Sequence, residues 1–99
     1  MLYYQFAAVH ALNGERLAEV QKATAASLRV VGAELLAFNP EMTVIPEGSD
    51  VTHPSLIRFP DKAAFEAWAG SAEHKATGAN RARSAEVRLV ARFDGNEPA

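Results

Sequence analysis

Residues 56–75 read LIRFPDKAAFEAWAGSAEHK, and this stretch decides the fold. Leu56 to Phe59 are apolar enough for a short strand, Pro60 stops it, and Asp61 stands where an N-cap side chain accepts from the next turn. Ala64, Phe65 and Trp68 then fall on one stripe of a helix. Gly70 ends that helix, and Ser71 with Glu73 in its first turn opens a shorter one from Ala72 to about Ala82. Small residues and Gly78 give this second helix modest propensity, so its packing must be close. Beyond it Ala85 to Phe93 alternates, with Val87, Leu89, Ala91 and Phe93 on one side and Glu86, Arg88, Val90 and Arg92 on the other.

The first half repeats the plan. Tyr3 to His10 is a strand with Tyr4, Phe6, Ala8 and His10 on one face and Tyr3, Gln5, Ala7 and Val9 on the other; both faces are largely apolar, as in a central strand. Asn13 is a good N-cap and Glu15 suits the positive end of the helix. Leu17, Val20, Thr24, Leu28 and Val31 recur at helical spacing until Gly32 supplies a stop. Alternation returns from Ala33 to Phe38, is interrupted at Asn39-Pro40 and continues from Met42 to Ile45, which reads as one strand broken by a bulge or turn. The turn chemistry of Pro46 to Asp50 leads into a strand from Ser55 to Phe59, making a hairpin.

The resulting order, β-α-β-β-α-β, matches the ferredoxin-like α+β plan, a four-stranded antiparallel sheet with helices on one face. One domain over residues 1–95 accounts for the chain, with a frayed tail over 96–99. The uncovered face is expected to carry Gln5, Leu56, Arg58, Arg88, Val90 and Arg92, too apolar for comfortable solvation, and packing it on a second subunit's sheet resolves the conflict. Chain length points the same way: a domain of about 100 residues buries only roughly 60 to 70% of its unfolded surface, and this chain has 99 residues.

Composition excludes several classes. Hydrophobic residues at 48% and charged residues at 22% describe a folded domain and not a disordered chain. A formal net charge of -2 and a pI near 5.9 leave no basic field for a phosphate backbone, so no nucleic-acid partner is expected. With no cysteine, thiolate nucleophiles, disulfides, zinc-thiolate sites and iron-sulfur clusters drop out together. The N-terminus lacks a signal-peptide pattern and no apolar run approaches the ~20 residues that span a bilayer, which gives the expectation of a cytoplasmic protein with no membrane partner.

The run Phe59 to Trp68, followed by Ser71-Ala72-Glu73-His74 and by Arg81, closely resembles the small bacterial family called domain of unknown function 1330. Gly32 to Ala37 and Glu47-Gly48 resemble its first-half pattern. The resemblance implies a ferredoxin-like subunit of the dimeric α/β barrel superfamily, in which two sheets face each other across a homodimer. That superfamily includes cofactor-independent monooxygenases, haem-degrading enzymes, lactone isomerases and stress-responsive proteins, so the fold does not select a function. The chain departs from the family pattern at three places: His74 stands where a tyrosine is common, Ala69 where a second aromatic follows the tryptophan, and Leu12 to Glu15 where an Asp-Pro-Glu opening is common.

Three side chains are the candidate site: Trp68, His74 and Arg81. Three residues past the Ser71 cap, His74 can shuttle a proton or hydrogen-bond a ligand near neutral pH, or simply pack against the preceding helix. Arg81 lies at a position of the resembled motif, and its planar fork suits a carboxylate. For Arg83, Arg88 and Arg92 the simpler reading is solvated or intersubunit ion pairs with Glu34, Glu47 or Glu86. Trp68 can line a pocket for a flat ligand or belong to the core, and its indole N–H needs a partner either way. Tyr3 and Tyr4 point to opposite faces and are read as structural.

His10 and His53 pair with nothing at metal-ligand spacing, so no metal is expected, and a haem axial role for either rests on superfamily analogy alone. No cofactor-binding loop, nucleophile elbow or fixed carboxylate pair is present. The leading expectation is a homodimeric binder of a small apolar or aromatic molecule, anionic or neutral, lined by Trp68, His74 and Arg81. One alternative is a cofactor-independent monooxygenase or isomerase in which His74 assists proton transfer. The other is a non-catalytic dimeric interaction protein, which has no need of an internal cavity.

Overall fold

The structure, a computed structural model, describes residues 1–38 and 48–96. Its elements are β1 (Tyr3–Ala11), α1 (Gly14–Val30), β2 (Glu34–Ala37), β3 (His53–Phe59), α2 (Lys62–Ala69), α3 (Ala72–Ala76), α4 (Gly78–Ser84) and β4 (Ala85–Asp94). The four strands lie in the order β2-β3-β1-β4, and every neighbouring pair is antiparallel. This is the ferredoxin-like arrangement expected from the sequence, with β1 and β3 central.

Local chemistry starts and stops the helices as the sequence indicates. Asn13 Oδ1 accepts from the Arg16 N–H at 3.0 Å, Asp61 Oδ1 from Ala64 at 2.8 Å and Ser71 Oγ from His74 at 3.2 Å. At the end of α1, Gly32 adopts φ 74°, its N–H bonds the Arg29 carbonyl and the Ala33 N–H bonds the Leu28 carbonyl. That pair of reverse bonds is the Schellman closure, which a left-handed residue allows.

The core sits between α1, α2 and one face of the sheet. Tyr3, Leu28, Ala33, Ile57, Phe59 and Trp68 form its buried cluster. Phe59 meets Phe65 edge to face at 5.4 Å and Trp68 at 5.6 Å, while Tyr3 meets Phe65 at 5.4 Å. Such pairs add roughly 0.5–1.5 kcal/mol each beyond the area they bury. The stripe read from Ala64, Phe65 and Trp68 is therefore the core-facing edge of α2, and the odd-numbered residues of β1 face the helices.

That last point corrects the expected composition of the uncovered face. Gln5 pairs with Arg92 and Ala7 with Val90 across β1 and β4, so Gln5, Val90 and Arg92 stand on the helix side. The register shifts between Ala8 and Val9: Ala8 pairs with Leu89 but Val9 pairs with Val87. Arg88 is the extra residue of this bulge, and Val87 joins Val90 and Arg92 on the helix side in place of Leu89, Ala91 and Phe93. One inserted residue flips the facing of everything beyond it.

The opposite face carries Tyr4, Phe6, Leu56, Arg58, Leu89 and Phe93. Among the described residues no helix covers it, and the smallest extent of the molecule is 16 Å. Leu89 is 55% and Phe93 47% exposed, and Tyr4 stacks on Phe93 at 5.7 Å.

Two other boundaries differ from expectation. The single helix expected from Ala72 to about Ala82 is two, α3 and α4, broken at Thr77. In a continuous helix the His74 carbonyl would serve the N–H of Gly78; instead Thr77 Oγ1 donates to it at 2.9 Å and Arg81 Nη1 at 2.8 Å. The β2 strand is limited to Glu34–Ala37, with a register shift between Leu35 and Ala37, while the expected continuation at Met42 to Ile45 lies outside the described residues. At the other end of the chain Gly95 donates its N–H to the Leu2 carbonyl at 2.8 Å, extending the ordered sheet edge past Asp94.

The expected ion pairs are partly rearranged. Glu34 pairs with Arg58 at 2.9 Å. Arg88 takes Asp50 in a two-point contact at 2.8 and 2.9 Å, with Glu86 farther at 3.5 Å. Arg92 pairs with no carboxylate among the described residues and turns to the cavity described next.

Candidate functional site

Between the helices and the sheet lies a cavity of about 290 Å³. Its floor is the helix-facing row of the sheet, with Gln5, Ala7 and Val9 from β1, Ser55 and Ile57 from β3, and Val90 from β4. Leu17, Val20, Gln21 and Thr24 of α1 form one wall, and Trp68, His74 and Arg81 from α2, α3 and α4 complete it. A second hollow of about 300 Å³ continues beneath α4 and shares Val9, Leu17, Val20, Arg81 and Val87 with the first.

The three candidate side chains thus come together, although each sits on a different helix. Trp68 is 4% exposed, and its Nε1–H donates to Ser27 Oγ at 2.9 Å. Ser27 in turn donates to the Thr24 carbonyl at 2.8 Å. The partner the indole requires is therefore a serine on α1, adjacent to the Leu28 stripe. The His74 ring lies 4.1 Å from the Trp68 ring at a tilt of 52°, so this ring contact and the Ser71 cap both set its position.

Arg81 holds the far side of the histidine. One guanidinium nitrogen, Nη1, donates to the His74 carbonyl and to Thr77 Oγ1, and lies 3.4 Å from His74 Nδ1. A guanidinium is only a donor and carries a positive charge, so an N–H on the Nδ1 facing it is disfavoured and the imidazole proton is assigned to Nε2. Burial, and next the Arg81 charge, push the His74 pKa below the ordinary histidine value. The ring is accordingly neutral at neutral pH and presents an N–H donor. Burial also lowers the Arg81 pKa, but an arginine stays charged.

Sequence reasoning missed Arg92 and Gln5, both assigned to the wrong face. Arg92 Nε donates to Gln5 Oε1 at 2.8 Å, and its guanidinium carbon sits 4.8 Å over the Phe65 ring. Both residues line the cavity. The signal that finds them is the cross-strand pairing with Gln5, since Tyr3, two residues earlier on the same face, is buried in the core. Among the described residues neither Arg81 nor Arg92 has a carboxylate within ion-pair distance.

The remaining histidines stand elsewhere. His10 Nδ1 lies 2.6 Å from the Asp50 carbonyl, and His53 lies beside Thr52 Oγ1 and the Phe38 ring. Among the described residues no group of three His, Cys, Asp or Glu side chains converges to hold a metal, and no helix is long and apolar enough to cross a membrane.

A ferredoxin-like α+β domain with a cavity beneath its helices is the class these features define. Residues 3–92 match the family described as Domain of unknown function (DUF1330), and the chain belongs to that family. No curated protein sequence matches the chain. Solved structures share the fold at low identity. A protein of unknown function from Rhodopseudomonas palustris is 15% identical with a TM-score of 0.73, over 98% of this chain and 84% of its own. A dimeric ferredoxin-like protein of unknown function from Jannaschia sp. CCS1 is 18% identical, with a TM-score of 0.70 over 96% and 100%. SnoaB, a cofactor-independent oxygenase from Streptomyces nogalater, is 11% identical, with a TM-score of 0.65 over 98% and 93%.

Proposed function

We propose that this chain is a homodimeric binder of a small apolar or aromatic anion, held between the helices and the sheet against Trp68, His74 and Arg81. The observation that carries the reading is the apolar cavity whose wall holds guanidinium groups without carboxylate partners among the described residues. Ligand sites are mostly apolar hollows with a few convergent polar groups, of roughly 300–1,000 Å³, and this one, at about 290 Å³, falls just under that range. An uncompensated guanidinium in such a wall favours a carboxylate, with which it can form paired charge-assisted hydrogen bonds. An interaction-only dimer has no use for such a cavity.

The homodimer is supported by the opposite face. Packing Leu89, Phe93, Leu56 and Tyr4 against the same row of a second copy would remove a contiguous apolar surface from water. The Jannaschia structure is described as dimeric, which agrees. Sedimentation should give a dimer at micromolar concentration, and a monomer there would remove this part of the proposal.

The alternative, a cofactor-independent monooxygenase or isomerase, requires a base at the cavity wall. With Nδ1 turned to a guanidinium, the Nε2 of His74 carries the proton and favours hydrogen-bond donation over proton abstraction. Oxygen uptake on hydroquinone substrates above the buffer rate, abolished in His74→Phe, would establish the enzyme instead. The binder is tested by thermal denaturation with a panel of aromatic carboxylates: the midpoint should rise with ligand concentration, as linkage requires. A panel that leaves the midpoint unmoved, joined to native mass spectra free of bound small molecules, would defeat the reading.

A further inference from the structure

We infer that Arg92 is the anion anchor of this cavity, so that its ligand is a two-ended molecule whose carboxylate meets Arg92 and whose far-end oxygen meets the His74–Arg81 pair. The inference rests on the reading of the cavity as a ligand site and adds which residue takes the acid, and what the other end must be.

Arg92 is held in place before any ligand arrives. Gln5 accepts from its Nε, Phe65 lies under the guanidinium plane, and its pairing opposite Gln5 fixes its backbone on the helix-facing row. Those contacts occupy Nε and one face, leaving the two terminal nitrogens as a fork with no partner among the described residues. A prearranged fork loses little freedom on binding, which is the condition for a strong carboxylate contact.

Arg81 is arranged differently. Its Nη1 directs its two hydrogens to the His74 carbonyl and Thr77 Oγ1 and lies 3.4 Å from the imidazole, so it serves the helix junction first. What this end offers is a positive charge and the Nε2–H of a neutral histidine, donors suited to a carbonyl or phenolic oxygen. The two ends are well separated. Arg92 stands across from Gln5, whereas the hollow that Arg81 shares contains Val9. Gln5 and Val9 are four steps apart along β1, on the order of 13 Å of backbone at the rise of a strand. Between them the lining is Ala7, Ile57, Val90 and Trp68, a surface for a flat apolar body.

Three probes separate the two ends: 6-hydroxy-2-naphthoate, 2-naphthoate and 2-naphthol, titrated calorimetrically into the purified protein. Wild type should bind the hydroxynaphthoate tightest. Arg92→Gln should weaken both carboxylates by about ten-fold or more, the order expected for losing a charge-assisted hydrogen bond, and leave 2-naphthol within about two-fold. Arg92→Lys should recover part of the loss. Arg81→Gln, its melting midpoint checked, should erase the advantage of the hydroxyl while keeping the preference for the carboxylate. If Arg92→Gln weakens all three probes alike, or none of them, the anchor is overturned while the cavity remains a binding site. If wild type binds none of the three, or binding persists in Ala7→Leu, which fills the floor, the cavity reading falls along with the anchor.

Discussion

The two faces of one sheet use opposite chemistry. On the helix side β1 presents Tyr3, Gln5, Ala7 and Val9, and the small Ala7 and polar Gln5 leave space that the helices do not fill. On the other side Tyr4, Phe6 and Ala8 meet Leu56, Leu89, Ala91 and Phe93 with no helix over them among the described residues. The helix side is hollow, and open along β4 where Val87, Val90 and Arg92 are exposed; the other is solid and has no helix over it among the described residues. The difference teaches where each kind of partner fits: a hollow with fixed donors selects a small molecule, whereas a broad apolar sheet face is satisfied only by another broad face.

Substitutions on the two faces should therefore fail in different ways. The largest effect is expected for Trp68→Ala, which removes the ring joining α1, α2 and α3; core truncations of this kind cost about 3–5 kcal/mol, read as a lower denaturant midpoint at any protein concentration. Leu89→Asp should leave the monomer folded and instead shift sedimentation from dimer to monomer, because a charge in an apolar interface is expensive to desolvate. A Leu89→Asp protein that sediments as wild type would show that this face is not the interface. Ser27→Ala is expected to cost about 1–3 kcal/mol by orphaning the buried indole N–H, measured by chemical denaturation.

A smaller effect distinguishes the faces by pH. The folded-state pKa of His74 is depressed, so the unfolded chain binds its proton more readily. Its stabilising contribution is complete above the unfolded value of about 6.5 and declines as pH falls through the folded value. The stability of His74→Gln should accordingly fall less than that of wild type between neutral pH and pH 5, and parallel curves would show that the ring is not held neutral. The smallest effect belongs to the bulge: Asp50→Asn breaks the exposed contact with Arg88 that lowers the Asp50 pKa, and the change in melting temperature should be slight and vanish in high salt.

How much of this was legible in the sequence follows the range of the interactions. Asn13, Asp61 and Ser71 cap helices through bonds three residues away, and Gly32 closes α1 with its own neighbours, so local order declares them. Trp68, His74 and Arg81 were marked by helix spacing and a family motif, and all three line one cavity. The facing of β4 was not legible: the extra residue at Arg88 is a property of pairing with β1, and from β4 alone the alternation runs cleanly through it. Arg92 was lost from the site for that reason, and Gln5 because the even and odd rows of β1 are nearly equally apolar. The division of α3 from α4 was hidden too, since it depends on Arg81 reaching back to the His74 carbonyl.

The central claim, that a ligand enters the hollow face and leaves the solid face alone, is tested most directly by methyl-labelled NMR spectra recorded during titration with 6-hydroxy-2-naphthoate. The expected result is movement of the methyl signals of Ala7, Val9, Ile57 and Val90, with those of Ala8, Leu56, Leu89 and Ala91 unchanged. Movement confined to the second group, or to neither, would contradict it.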